Sequence, residues 1–156
     1  MPSFSTRRRV PFTPRQMFDL VADVEQYPRF LPLCEALRVR SREHRDGKDY
    51  LVADMTVGYK AIRETFTSKV ALDPAADRVL VTYVDGPFKY LENRWHFVPA
   101  GAGTDVLFDL SYEMKSRMFA VLVGAVFDKA FRKFAEAFEE RAGQIYGRPG
   151  RLPSPA

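Results

Sequence analysis

The stretch Asp23-Val24-Glu25-Gln26-Tyr27-Pro28-Arg29-Phe30-Leu31-Pro32-Leu33-Cys34 decides how the rest of the chain is read. Pro28 and Pro32 forbid a long helix here, because each lacks an amide donor and restricts the residue before it. Tyr27, Phe30, Leu31 and Leu33 nevertheless make it strongly apolar. The stretch is therefore read as a short apolar cap that turns a corner between a first helix and a curved sheet. A hydrophobic pocket needs a cap of this kind at its mouth.

Upstream, residues 3–10 are predicted to form a strand. Thr13-Pro14-Arg15-Gln16 then opens a helix with a capping box and Pro14 at its first position. Phe12 and Met17 stand where a hydrophobic staple places them. Met17, Leu20, Val21 and Val24 recur at i, i+3, i+4 and i+7, so one helix face is buried.

Downstream, from residue 34 to residue 114, the period is two. Leu51, Ala53, Met55, Val57 and Tyr59 alternate with polar neighbours. So do Ile62, Phe66, Val70 and Leu72; Val79, Val81 and Tyr83; Leu91, Trp95 and Phe97; and Val106, Phe108, Leu110, Tyr112 and Met114. Turn signals separate the runs at Arg45-Asp46-Gly47, Gly58-Tyr59-Lys60, Asp73-Pro74, Asp85-Gly86-Pro87 and Gly101-Ala102-Gly103. This spacing predicts a six-strand antiparallel meander with one buried face.

Residues 116–146 read as one helix of about 30 residues, roughly 45 Å long. Phe127, Phe131, Phe134, Phe138, Ala142 and Ile145 form its apolar stripe. It is the element long enough to cover the sheet, and a curved sheet and a straight helix leave a cavity between them. Its start, Met118-Phe119-Ala120-Val121-Leu122-Val123-Gly124-Ala125-Val126-Phe127, is apolar all round. That predicts a partner for its outer side: a membrane, a second subunit or the cap, residues 27–33. Gly124 is read as a site of close packing. Residues 1–146 are taken as one domain and 147–156 as a disordered tail.

Composition narrows the function. A chain of 156 residues can bury one core without disulfides, and the lone Cys34 excludes an internal disulfide or a cysteine-rich metal site. His44 and His96 belong to no ligand cluster, so no metal is expected. Cys34 has no paired histidine and is read as a small buried apolar residue. The first residues lack an apolar secretory segment, which predicts cytoplasmic residence. The net charge of +4 permits contact with anionic lipid or RNA without demanding it. Arg7, Arg8 and Arg9, with Arg38, Arg40 and Arg42, either make such contacts or protect solvated sheet edges.

Four segments carry a family resemblance: Phe18-Asp19-Leu20-Val21 with the cap; Val57-Gly58-Tyr59-Lys60 with Arg63-Glu64; Asp85-Gly86-Pro87-Phe88-Lys89 with Leu91 and Trp95; and Ala137-Phe138-Glu139 with Arg141-Ala142. Over residues 3–146 the chain resembles the coenzyme Q-binding family of the START-like (polyketide cyclase/dehydrase, helix-grip) superfamily, which includes bacterial ribosome association toxins. The resemblance implies an α+β fold in which a seven-stranded curved antiparallel sheet wraps a long C-terminal helix, in the order β-α-α-β6-α. It also implies a tunnel for a polyprenyl quinone, and no established catalytic residues.

Three functions follow as expectations. The first is non-enzymatic binding of a polyprenyl quinone, ubiquinone above all, for respiration or quinone biosynthesis. No cofactor is expected, and peripheral contact with the inner membrane is. The candidate ligand-binding residues are Tyr27, Phe30, Leu31, Glu64, Phe66, Asn93, Trp95, Tyr112, Val123 and Phe127. Of these Glu64, Asn93 or Tyr112 would meet the headgroup; for Glu64 a salt bridge with a neighbouring arginine at the sheet edge is the favoured reading and headgroup contact the alternative. The second is a toxin-like partner of the large ribosomal subunit, suggested by the arginines and a sequence pI near 9.3. The third, a cyclase-type enzyme, needs an acid–base pair inside the pocket, and only Glu64 is a clear inward carboxylate. The sequence leaves the oligomeric state open.

Overall fold

The computed structural model describes residues 3–147; the expected tail from residue 148 onward lies outside them. β1 (Ser3–Val10) is followed by α1 (Pro14–Ala22) and a single 3-10 helix (Val24–Arg29). Six strands come next: β2 (Cys34–Arg45), β3 (Lys48–Tyr59), β4 (Ile62–Asp73), β5 (Arg78–Asp85), β6 (Phe88–Ala100) and β7 (Gly103–Met114). The chain then ends in α2 (Arg117–Arg132) and α3 (Phe134–Tyr146).

The strands form one seven-stranded antiparallel sheet in the order β1-β7-β6-β5-β4-β3-β2. β2 to β7 are a meander, and β1 returns to pair with β7, Ser3 opposite Ser111 and Val10 opposite Thr104. The period-two residues face inward, and Leu51, Val57, Val70, Val79, Phe97, Val106 and Phe108 are all buried.

α1 starts where its capping box puts it. Thr13 Oγ1 accepts from the Gln16 amide at 3.1 Å, and Gln16 Oε1 accepts from the Thr13 amide at 2.9 Å. Phe12 and Met17, the staple pair, are both buried. Tyr146 donates to the Gln16 carbonyl at 3.0 Å, tying the end of α3 to α1.

Two local expectations change. The turn after β3 falls at Lys60, which takes φ 56°. Gly58 lies inside β3, where a Cβ would come within 2.1 Å of Glu35 Oε2. The C-terminal helix is two helices rather than one, broken at Lys133. There the Lys133 amide donates to the Ala130 carbonyl, a tighter turn than the α pattern. The apolar stripe crosses the break in phase, from Phe127 and Phe131 to Phe134 and Phe138, so α2 and α3 cover the same sheet face.

Candidate functional site

Between the sheet and the helices lies a cavity of about 80 Å³. Its floor is set by strand register. Ala53 on β3 faces Ser68 on β4, flanked by the pairs Leu51–Val70 and Met55–Phe66. Two small side chains side by side leave the hollow that larger neighbours would fill. Leu91, Trp95, Phe108 and Leu110 extend the wall along β6 and β7, and Phe131, Phe134 and Phe138 close it from above, on both sides of the Lys133 break.

The cap seals the remaining side. Tyr27 and Leu31 line the cavity. Tyr27 and Phe30 pack edge-on against Phe138 of α3, with ring centroids 5.2 and 5.0 Å away. Phe138 also meets Trp95 edge-on at 5.0 Å, so one ring joins cap, helix and sheet. The cap is thus anchored on α3, and none of residues 118–127 lines the cavity. The outer side of the α2 start is uncovered: Met118, Val121 and Leu122 are 74%, 83% and 67% exposed. Among the described residues nothing packs closely on Gly124, where a Cβ would meet only Ala120 Cβ at 3.9 Å.

The candidate residues separate into two groups. Tyr27, Leu31, Phe66, Asn93 and Trp95 line the cavity. Phe30, Glu64, Tyr112, Val123 and Phe127 do not. Val123 and Phe127 are buried in the core, with Phe127 against Phe119 and Phe131. Tyr112 donates to Asp128 Oδ1 at 3.1 Å, and burial together with Asp128 raises its pKa. Glu64 is half-buried at the start of β4. The arginine next to it, Arg63, pairs instead with Glu35 at 2.8 Å. Among the described residues Glu64 has neither the expected salt bridge nor a place in the cavity wall.

The polar atoms that do reach the wall are mostly engaged. Trp95 Nε1 donates to Asn93 Oδ1 at 2.8 Å, and Asn93 Nδ2 donates to the Asp109 carbonyl at 3.0 Å. Asn93 therefore orients Trp95 rather than reaching for a ligand. The Tyr27 hydroxyl donates to the Val21 carbonyl, and burial raises its pKa far above that of ordinary tyrosine, so it stays a neutral phenol. Ser68, Ala53, Phe131, Phe134 and Phe138 were not among the candidates. Ser68 had a signal, a hydroxyl in phase with Phe66 and Val70; Ala53 fell in an inward phase, but its place opposite Ser68 shows only in the β3–β4 register.

Outside the cavity, Cys34 is buried and its thiol pKa is pushed up to about 11, which suits a packing residue. The arginines of β1 are occupied. Arg7 Nη2 lies 2.6 Å and Arg9 Nε 2.7 Å from the buried Asp105 carboxylate, and Arg8 Nη2 lies 2.7 Å from Glu139 of α3.

A curved antiparallel sheet closed by C-terminal helices over an apolar hollow defines a START-like, helix-grip protein. Residues 10–139 match the family described as "Polyketide cyclase / dehydrase and lipid transport", and the chain belongs to that family. Among similar proteins is the Ribosome association toxin RatA of Rickettsia prowazekii, 32% identical over 93% of this chain and 99% of its own. Another is the mitochondrial Coenzyme Q-binding protein COQ10 homolog B of Xenopus laevis, 34% identical over 93% of this chain and 59% of its own. An 18 kDa Caulobacter crescentus protein solved in solution is 34% identical, with a TM-score of 0.76 over 94% of this chain and 99% of its own. The Streptomyces aromatase/cyclase ZhuI superposes with a TM-score of 0.79 over 97% of this chain and 99% of its own, but at 17% identity it shares the fold alone.

Proposed function

We propose that this chain binds a polyprenyl quinone, ubiquinone in the first instance, and presents it without converting it, serving respiration or quinone biosynthesis at the cytoplasmic face of the inner membrane. The observation that carries this reading is the cavity wall. It is apolar and aromatic, with no charged side chain among its described residues. Its one ionisable group, Tyr27, is held neutral. A wall of that kind suits an isoprenoid and a neutral ring, and offers no acid–base pair for a cyclase. The frog relative named as a coenzyme Q-binding protein supports the same reading.

At about 80 Å³ the hollow is well below the ~300 Å³ or more of a typical ligand pocket. Loading therefore requires the wall to move. α2 is the wall element that can swing: it buries Val123, Phe127, Ala130 and Phe131 and leaves its outer apolar side uncovered. The break at Lys133 provides the hinge. Met118, Val121 and Leu122, beside exposed Lys115 and Arg117, suit contact with an anionic bilayer while the wall is open.

The test is mass spectrometry of lipids extracted from protein purified from its own host. A stoichiometric prenyl quinone is the expected result; no prenyl lipid, and no quinone loaded from vesicles, would sink the reading.

One observation favours a second reading. Bacterial relatives 32–35% identical, which match almost end to end, are named ribosome association toxins. Sedimentation with ribosomes decides it. Co-migration with the large subunit at physiological salt would support that partnership, whereas binding only at low salt would mark nonspecific phosphate contact.

A further inference from the structure

Ser68 is buried on the inner face of β4 and lines the cavity, yet its Oγ has no hydrogen-bond partner among the described residues. A hydroxyl left unpaired in an apolar site is destabilising. Among the described residues the other buried side-chain atoms without a partner, Thr6 Oγ1 and Arg141 Nε, do not line this cavity. Each of the other polar side chains of the wall already has a partner. Asn93 accepts from Trp95 and donates to Asp109, and the Tyr27 hydroxyl donates to Val21. Ser68 is therefore the wall's unused hydroxyl donor. It lies opposite Ala53, where two small side chains face each other across β3 and β4 on the floor of the hollow.

We propose that Ser68 is the polar anchor of this site: its hydroxyl donates a hydrogen bond to a carbonyl oxygen on the ring of a neutral, otherwise apolar ligand. The inference rests on the quinone-binding reading and names the atom that recognises the ring. Neutrality follows from the wall, which has no described charged side chain to balance a carboxylate or phosphate. A carbonyl is the matching group because the protein supplies a donor that has no acceptor of its own.

The test compares two probes that share a tail: decylubiquinone and decylbenzene, whose ring has no oxygen. Trp95, the only tryptophan of the chain, lines the cavity, so its emission reports loading. Ser68→Ala is expected to weaken decylubiquinone binding about fivefold to tenfold, the worth of one hydrogen bond, and to leave decylbenzene unchanged. Without ligand the same variant should melt about 2–4 °C higher, because the orphaned hydroxyl is gone. Equal quinone affinity in variant and wild type would overturn the anchor while leaving the quinone reading in place. Equal weakening of both probes would also overturn it, since cavity shape rather than a hydrogen bond would then be responsible. A lower melting temperature would overturn it too, because the protein itself would then be satisfying the hydroxyl. If the wild type binds neither probe, the quinone reading fails and takes the anchor with it.

Discussion

Trp95 is gripped on its faces, its edge and its one polar atom. It stacks on Phe97, meets Phe108 edge-on at 4.7 Å and Phe138 at 5.0 Å, and donates to Asn93. Trp95→Ala empties that nest and should cost about 3–5 kcal/mol, read as a lower urea midpoint. A variant that unfolds with the wild type would mean that the ring contributes little to the core. Asp105 is a different kind of anchor. Arg9 and Arg7 hydrogen-bond its carboxylate and hold its pKa well below the usual range. A depressed folded pKa means that the unfolded chain takes up the proton first. The cluster's stability is thus fully present above about pH 5 and drains away as the pH falls below it. Asp105→Asn should be less stable at pH 7 and lose less on acidification, and parallel pH–stability curves would refute the coupling. Both residues had partial signals. Trp95 fell in an inward phase, but its tie to Asn93 is a two-residue step along one strand that periodicity treats as packing. Asp105 sits between inward Thr104 and Val106, and its burial comes from arginines on a strand 96 and 98 residues away.

The last two helices show what an element can hide. Hydrophobic period alone merges α2 and α3, because the stripe passes Lys133 without a phase slip and no Gly or Pro marks the break. The outward apolar face of α2 was legible, because a helix that is apolar all round has more surface than one cavity can use. Which residues make that face was not, since assignment depends on helix rotation. Val123 points into the core, whereas Val121 and Leu122 point away from it. The informative variant is therefore Val121→Asp combined with Leu122→Asp. It should leave the urea midpoint near that of wild type, since exposed changes usually stay within about 0.5 kcal/mol each. It should also abolish flotation with anionic liposomes. Retained flotation would remove this face from the docking surface, and conversion of a dimer to a monomer in the ultracentrifuge would assign the face to self-association instead.

At the scale of the whole molecule, sheet and helices make a container whose contents should stabilise it. A ligand at a hundred times its dissociation constant adds about 2.7 kcal/mol, which for a chain of this size raises the melting temperature by roughly 5–10 °C. Quinone titration that leaves the melting curve unmoved would argue against binding to the native state. The strands were readable because one buried face imposes alternation from Leu51 to Met114. The closing pair was not, because nothing local in Ser3–Val10 says that its neighbour is β7. That pairing has a consequence for how the chain is made. Synthesis at ~5–20 residues per second brings residue 111 out roughly 5–20 s after β1, and until then β1 has no strand to join. During that wait Arg7, Arg8 and Arg9 lack Asp105 and Glu139 and stand as three bare positive charges on an open edge. Charge of that sort repels stray strands, so the same arginines that later lock the finished sheet can guard the nascent chain against aggregation while it waits.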